Sequence, residues 1–309
     1  MALETRSLHP LLGVEIAGVD VRHVGADDFK RIVELFEEHS VLLFRDQRLD
    51  DEAQIAFSRR FGPLETMIRT VASQAREIYN VANVDAEDRL IPRGDPRNLF
   101  NAGNQMWHTD SSFKRVPAHA SLLSAREVPR EGGETEFANM RVAYARLSED
   151  LKRLLEGKVA VHSLEYSRGL TGEGLLRAED AGQVPPGPQA LVRTNPVNGK
   201  KAFFVASHAC EILGMPTDEA RALIRDLLDR ATGPEMIYTH RWRPGDLVMW
   251  DNRCLLHRGR PWNESRYRRV LHRTTVAGHG PTARDVGGIR VSPARESDVA
   301  WCRAQLEAI

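Results

Sequence analysis

Apolar residues recur at helical spacing near the start of the chain and are followed directly by a short apolar run. Between residues 27 and 40 the apolar positions lie along one face of an amphipathic helix. The run SVLLFRDQ (40–47) has the length and composition of a buried strand. Residues 50–62 predict a second helix, because acidic residues occupy its first turn and a glycine stands at its end.

The rest of the chain alternates between helical and strand-like patterns. Further amphipathic helices are predicted at 139–158, 217–232 and 293–309, and strand-like runs at 159–166, 200–208, 235–242, 245–252 and 268–278. Short strands separated by Gly, Pro and Asp, with helices inserted, are typical of a β sandwich or barrel decorated by helices. The predicted fold class is therefore mainly β with flanking helices.

Two polar segments, 85–106 and 165–190, are rich in Gly, Pro and charge and match no regular element. Long segments of this kind in compact domains are usually functional lids or disordered. We interpret them as active-site loops. No change in composition marks a linker, so residues 1–309 are expected to form a single catalytic domain with a C-terminal helical extension at 281–309.

Composition and charge exclude several classes of partner. The chain has 309 residues with 43 Lys plus Arg and 43 Asp plus Glu, so its formal net charge is zero. This balance gives no general electrostatic reason to bind nucleic acid or an anionic membrane. No stretch approaches the ~20 apolar residues of a spanning helix, and the start of the sequence lacks the apolar region of a secretory signal. Three widely spaced cysteines favour neither a disulfide framework nor a thiolate zinc site, so we predict a cytoplasmic protein.

A metal site is the first candidate chemistry. His108-Thr109-Asp110 is the only HxD triplet in the sequence, and residues two apart on a strand face the same way. His257, which follows the apolar run 245–252, is the best candidate for a second imidazole. Two imidazoles and one carboxylate with open positions are the ligand set of non-heme iron(II) oxygenases. A hydrogen-bonded His108–Asp110 pair and a His257 that packs in the core or lies at the surface also explain this spacing.

An arginine-rich strand is the second candidate. The segment RYRRVLHRTTV (266–276) places Arg269, Leu271 and Arg273 on one face. At ~3.3 Å per residue the two arginine backbones lie about 13 Å apart, which suits two different anions. Inward-pointing arginines are costly unless an anion meets them, because guanidinium stays charged. A solvated face with internal salt bridges is the alternative.

Several spaced motifs together resemble one enzyme family. The segments NQMWHTDSSF (104–113), EGGETEFANM (131–140), WDNRCLLHRG (250–259) and RRVLHRTT (268–275) resemble the iron(II)- and 2-oxoglutarate-dependent dioxygenases of the taurine and 2,4-dichlorophenoxyacetate dioxygenase family. The upstream segments SVLLFRDQ and AFSRRFGPLE are similar to that family as well. The resemblance extends over roughly residues 8–280, with the motifs in the family's order. It implies a double-stranded β-helix, or jelly roll, as the core of the fold.

The resemblance also implies how the chain would hold its metal and cosubstrate. His108, Asp110 and His257 would be the ligands of Fe(II). Thr135 would hydrogen-bond the distal carboxylate of 2-oxoglutarate, and Arg269 would pair with the same carboxylate. Dioxygen would be the second cosubstrate, and the products of 2-oxoglutarate would be succinate and carbon dioxide.

The implied substrate is a small anionic molecule. Arg273 would meet its anionic group, and Asn104 and Ser111, close to the HxD triplet, are further candidate substrate contacts. Taurine-type members carry a histidine shortly after the FGxL motif, whereas this chain has Met67 there. A thioether cannot donate a hydrogen bond to a sulfonate. We therefore predict an aryloxyacetate such as 2,4-dichlorophenoxyacetate, converted to a phenol and glyoxylate, with taurine or another sulfonate or carboxylate as the alternative.

Two alternatives come from other classes of protein. A zinc hydrolase could use the same three ligands with a metal-bound hydroxide, and it would need neither oxygen nor Arg269. A non-catalytic jelly-roll binding module would bind metal without consuming 2-oxoglutarate. Thr135 and Arg269 together favour the dioxygenase, because neither alternative needs a dicarboxylate pocket. The family resemblance further implies a homo-oligomer.

Overall fold

Strands make up the framework of the protein. The computed structural model describes residues 3–66, 77–92, 95, 103–171, 184–284 and 287–307. Within these ranges we number the strands in chain order as β1 Glu4–His9, β2 Leu12–Ala17, β3 Val41–Phe44, β4 Tyr79–Ala82, β5 Ala120–Glu127, β6 Thr135–Asn139, β7 Val159–His162, β8 Gly187–Ala190, β9 Val192–Thr194, β10 Lys201–Phe203, β11 Ala209–Ile212, β12 Ile237–His240, β13 Leu247–Asp251, β14 Leu255–Gly259 and β15 Val270–Val276.

Helices flank this framework. They are α1 Ala26–His39, α2 Asp51–Arg59, α3 Met140–Ala145, α4 Glu149–Leu155, α5 Leu164–Gly169, α6 Thr217–Ala231 and α7 Glu296–Glu307. The helices predicted at 27–40, 50–62 and 217–232 are confirmed. The single helix predicted at 139–158 is wrong, because the chain turns after α3 and Ser148 starts a new helix by accepting a hydrogen bond from the backbone N–H of Leu151.

The central strands of the largest sheet in the described ranges are buried on both faces. Its seven strands run in the order β1-β2-β3-β13-β5-β15-β4, and only β2 and β3 pair in parallel. Successive residues of β3 point to opposite faces, so Leu42 and Leu43 enter two different apolar clusters. This double burial explains why the strand is an uninterrupted apolar run in the sequence.

The two faces meet different partners. On one face Leu43 and Leu123 share a buried cluster with Phe137, which belongs to the smaller sheet β12-β6-β14. On the other face the apolar cluster includes Phe36 of α1 and Phe57 of α2. The result is a sandwich of mainly antiparallel sheets with helices outside, so the predicted jelly-roll fold class is confirmed.

The two predicted loop segments contain regular structure. Segment 165–190 includes most of α5 and all of β8, and its residues 172–183 lie outside the described ranges. The strand predicted at 159–166 ends at His162, because Ser163 caps α5 by accepting a hydrogen bond from the backbone N–H of Tyr166. In segment 85–106, residues 93–94 and 96–102 are likewise outside the described ranges, and the described end forms a 3-10 turn at Gly103–Gln105.

The C-terminal helix α7 lies within the helix predicted at 293–309 and is not isolated from the rest of the fold. It contributes Cys302 to a buried cluster with Met106, Tyr166 and Cys210. Among the helices in the described ranges, none combines the length and the apolar composition needed to cross a lipid bilayer.

Candidate metal centre and its cavity

Three potential metal ligands meet at one point of the sandwich. His108 and His257 form an isolated antiparallel bridge, in which each backbone N–H donates to the other's carbonyl at 3.0 and 2.8 Å. One ligand atom from each of His108, Asp110 and His257 lies within 4.8 Å of the others. The Nε2 atom of His257 is 3.7 Å from Oδ2 of Asp110, a separation that a shared cation could bridge. The structure thus brings together all three residues that the sequence proposed as ligands.

Hydrogen bonds orient the imidazole of His108. Its Nδ1 lies 2.8 Å from the carbonyl oxygen of Met106. A metal-binding histidine usually donates its second ring N–H to such a carbonyl, which fixes the tautomer and leaves the other nitrogen for the metal. In His108 that free nitrogen is Nε2.

A second set of hydrogen bonds fixes Asp110. The Ser121 hydroxyl donates to its Oδ2 at 2.6 Å, and the amide of Asn252 donates to the same Ser121 hydroxyl at 2.9 Å. The Asn252 side-chain oxygen also accepts from the backbone N–H of Asp110 and from the indole of Trp250. The sequence prediction missed Ser121 and Asn252, although Asn252 lies in the WDN segment of the third motif.

The protonation states suit a metal. Burial lowers the pKa of His257 well below its usual value, and burial also lowers that of His108, so both imidazoles are neutral at neutral pH. Burial alone would raise the pKa of Asp110, but the charge of Arg273 and the hydrogen bond from Ser121 hold the pKa below its usual range. Two neutral imidazoles and a carboxylate are ready to bind a divalent cation without first losing protons. The donor set therefore fits the predicted iron site.

The ligand cluster opens into a cavity of about 80 Å³. The predicted site residues on its wall are Asn104, His108, Thr135, His257, Arg269 and Arg273. Arg269 directly precedes β15 and Arg273 lies within it. Both therefore face one cavity, as the period of two along a strand predicts.

Arg269 is a buried cation at the wall of this cavity. Its side chain donates from Nε to the carbonyl of Gly133 at 3.0 Å and lies over the ring of Trp262. Burial lowers the pKa of Arg269 to about 10, so the guanidinium remains charged at neutral pH. Among the described residues no carboxylate lies within ion-pair distance of it. Gly133 has φ +70°, and a Cβ there would lie 3.1 Å from Cδ of Arg269, so this glycine makes room for the arginine.

Thr135 is held with its hydroxyl proton free for the cavity. The indole N–H of Trp242 donates to the Thr135 hydroxyl at 3.0 Å. An indole N–H can only donate, so Thr135 is the acceptor in this contact and its own proton is available to an acceptor in the cavity. Thr135 is 3% exposed and lines the same cavity as Arg269. Trp242, like Ser121 and Asn252, is a residue that the sequence prediction missed.

Arg273 lies between the ligand cluster and an apolar wall. Its Nη1 donates to Oδ1 of Asp110 at 2.6 Å, and its guanidinium lies 5.0 Å from the ring centre of Tyr79. Strand pairing places Leu123 of β5 on one side of Arg273 and Tyr79 of β4 on the other side. Val81 is two residues beyond Tyr79 in β4. These side chains share one face of the sheet, and Val81 and Leu123 line the cavity.

Residues 4–275 match the family model of the taurine catabolism dioxygenase TauD, TfdA family. The chain belongs to this family. An alpha-ketoglutarate-dependent 2,4-dichlorophenoxyacetate dioxygenase of Cupriavidus pinatubonensis is 41% identical over 282 residues, which are 89% of this chain and 98% of that protein. An (S)-phenoxypropionate/alpha-ketoglutarate dioxygenase of Sphingobium herbicidovorans is 36% identical over 287 residues, 90% of this chain and 96% of that protein. The crystal structure of AAD-2 in complex with Mn(II) and N-oxalylglycine has a TM-score of 0.85 and 39% identity, covering 92% of this chain and 100% of that chain.

Membership of the TauD/TfdA family decides between the classes that the sequence left open. The protein is an enzyme, a 2-oxoglutarate-dependent dioxygenase whose His-Asp-His site is of the kind that binds iron. The zinc hydrolase and the non-catalytic binding module are therefore wrong. Its substrate is a small molecule.

The remaining predicted residues of this TauD/TfdA enzyme have different surroundings. Asn104 lines the cavity, but the described side chains on its wall do not include Ser111. The Ser111 hydroxyl donates to Glu65 at 2.7 Å, and Lys114 pairs with the same carboxylate, so the substrate role of Ser111 stays a prediction. Met67, on which the argument against taurine depends, lies outside the described residues.

Proposed function

We propose that this dioxygenase hydroxylates an aryloxyacetate, with 2,4-dichlorophenoxyacetate as an accepted substrate. The observation that carries the proposal is the placement of Arg273, a cation beside the metal ligands that faces the apolar side chains of Val81 and Leu123. A molecule with a carboxylate at one end and an aromatic ring at the other matches that combination. The named activities of the relatives in Cupriavidus and Sphingobium support the same substrate class.

The metal and 2-oxoglutarate would be held by separate groups. His108, Asp110 and His257 are the proposed Fe(II) ligands. Arg269 would pair with the distal carboxylate of 2-oxoglutarate through charge-assisted hydrogen bonds, and Thr135 would donate its free hydroxyl proton to the same carboxylate. Bound iron supplies the oxidative chemistry in which dioxygen converts 2-oxoglutarate to succinate and carbon dioxide while one oxygen atom is added to the substrate.

Arg273 would fix the position of the reacting carbon. A carboxylate paired with Arg273 lies next to Asp110, and the short –CH₂–O– link of an aryloxyacetate keeps the carbon beside that carboxylate close to the ligand cluster. The ring would extend along Val81 and Leu123, which exclude water from that side.

Hydroxylation at this carbon explains the expected products. The carbon beside the ether oxygen exchanges a C–H bond for a C–OH bond, which gives a hemiacetal. The hemiacetal loses its hydroxyl proton, forms an aldehyde and expels the aryl oxygen, which takes up a proton. The products are a phenol and glyoxylate.

The test compares two substrate classes in one assay. Enzyme, Fe(II), 2-oxoglutarate and oxygen are incubated with either a series of phenoxyacetates or taurine. We expect a phenol in amounts that match the succinate formed from phenoxyacetates, and no sulfite from taurine. Sulfite release from taurine without phenol release from phenoxyacetates would contradict the proposal. Arg273→Lys is the matched variant, since it keeps a positive charge but loses the planar fork of guanidinium.

We also propose that the enzyme works in the cytoplasm. Its three cysteines are buried and unpaired, which fits a reducing compartment. Assembly into a homo-oligomer, which the family resemblance implies, stays a prediction.

A further inference from the structure

The C-terminal helix α7 lies beyond the part of the chain that matches the family model, which ends at residue 275. It nevertheless contacts residues next to both proposed histidine ligands. This placement raises the question of what the helix does for the metal centre.

Buried ion pairs anchor the first turn of α7. Asp298 is 2% exposed and accepts hydrogen bonds from Arg221 and Arg225 of α6, each at 2.7 Å. The backbone N–H of Arg295 donates to the same carboxylate at 2.9 Å. Arg221, itself 3% exposed, also donates to the carbonyls of residues 292 and 293. A buried carboxylate with this many donors holds the helix in one position.

The middle of α7 contacts the residue that orients His108. Cys302 is 1% exposed, and its Sγ lies 3.2 Å from Sδ of Met106, which is 6% exposed. Met106 is the residue whose carbonyl accepts from Nδ1 of His108. Within the described part of the chain, Met106 follows a 3-10 turn at Gly103–Gln105 and donates from its backbone N–H to the carbonyl of Gly103 at 3.3 Å. The packing of the Met106 side chain against Cys302 of α7 is therefore one of the restraints on this carbonyl.

The end of α7 reaches the neighbour of His257. The guanidinium of Arg258 lies 3.5 Å from the carbonyl oxygen of Gln305 and 4.5 Å from the ring centre of Trp107. Arg258 follows His257 in the chain, and Trp107 precedes His108. Helix α7 thus contacts Met106, which orients His108, and Arg258, which follows His257.

We propose that α7 is a positioning element of the metal centre, which fixes the Met106 carbonyl and through it the orientation and tautomer of the His108 imidazole. The inference rests on the proposed role of His108 as a metal ligand. Partners of metal-binding histidines typically change metal affinity 10–100-fold when they are altered. Loosening α7 should act in the same way, although the helix itself offers no ligand.

The test measures Mn(II) binding to full-length variants, with free Mn(II) quantified by its electron paramagnetic resonance signal. Cys302→Ala removes the contact to Met106, and Asp298→Asn weakens the anchor on α6. We expect both to raise the dissociation constant for Mn(II) by about tenfold. Cys302→Ser keeps an atom at the γ position and should restore most of the affinity. Arg295→Ala is the control, because among the described residues its side chain pairs only with the exposed Asp218 in the first turn of α6.

Circular dichroism and thermal unfolding separate positioning from general stability. If Cys302→Ala and Asp298→Asn are folded, melt at lower temperature and bind Mn(II) as tightly as the wild type, the helix only stabilises the fold and the inference is wrong. His257→Ala tests the site itself. Equal Mn(II) affinity in His257→Ala and the wild type would overturn the proposed metal site and this inference together, whereas loss of binding in His257→Ala alone would overturn only the inference.

Discussion

Arg269 should stabilise the enzyme only when 2-oxoglutarate is present. The perturbation is Arg269→Met, which keeps an unbranched apolar stem but removes the charge. Burial lowers the pKa of Arg269 to about 10, from an ordinary value of about 12.5, so keeping the guanidinium charged in this position costs about 3 kcal/mol. Loss of the hydrogen bond to the Gly133 carbonyl destabilises the variant by about 1 kcal/mol. The variant should therefore be more stable than the wild type without ligand, by about 2 kcal/mol.

Binding of 2-oxoglutarate should reverse the order of stability of the wild type and Arg269→Met. Losing one partner of a buried charge pair costs about 3–5 kcal/mol, so 2-oxoglutarate should bind Arg269→Met roughly two to four orders of magnitude more weakly. At a concentration of 100 times its Kd, 2-oxoglutarate stabilises the wild type by about 2.7 kcal/mol. The same concentration should stabilise the variant hardly at all.

The assay is thermal unfolding of Mn(II)-loaded protein with and without 2-oxoglutarate. Without it, the Tm of Arg269→Met should exceed that of the wild type by on the order of 4 °C, and with it the wild type should be at least as stable as the variant. Arg258→Met is the matched control, since Arg258 is also buried but donates to Glu136 at 2.7 Å. Its loss should lower the Tm. An Arg269→Met protein that melts below the wild type without ligand and is still stabilised by 2-oxoglutarate would refute the reasoning.

Three further changes test other parts of the structure. Trp242→Phe should raise the KM for 2-oxoglutarate about fivefold with kcat unchanged, and should add nothing in a Thr135→Ala background, as a double-mutant cycle in steady-state kinetics would reveal. His257→Ala should abolish Fe(II)-dependent succinate formation while circular dichroism stays that of the wild type. Burial lowers the pKa of His162 to about 3, so only the unfolded state takes up this proton between about pH 6.5 and 3, and stability falls as the pH falls. Urea unfolding at pH 7 and pH 4.5 should show His162→Phe losing about 3 kcal/mol less than the wild type.

The elements predicted from the sequence are those whose burial is one-sided or complete over a long run. Helix α1 has a clear amphipathic period, and β3 is apolar throughout because both faces of its sheet are covered. The hairpin β1–β2 was missed, since the residues of β1 are largely exposed and polar. Strand β5 was missed as well, because its burial on both faces mixes small polar residues such as Ser121 with leucines and leaves no alternation.

The sequence predicted those site residues that stand in recognisable motifs. The spacing of His108, Asp110 and His257 left alternatives open, and their convergence depends on a bridge between segments that are distant in the sequence. Ser121 and Trp242 could not be predicted, because each contacts another side chain of the protein rather than the metal or 2-oxoglutarate. Ser121 reaches Asp110 because β5 pairs with β13 in the register that sets it opposite Trp250. Such contacts follow from strand pairing, which no local pattern specifies.

One strand and the residue before it organise both proposed anion sites. Arg269 and Arg273 are four residues apart, face the same cavity, and differ in what surrounds them. Arg269 is 5% exposed and has no carboxylate partner within ion-pair distance among the described residues, so its position favours an anion that enters from outside. Arg273 pairs with Asp110 and faces apolar side chains, so an anion bound there is placed against the ligand cluster with its apolar end on Val81 and Leu123. The spacing along a single strand therefore sets the distance between cosubstrate and substrate. Two of the proposed metal ligands, His108 and His257, line the same cavity, and the third, Asp110, is held beside it by its pairing with Arg273.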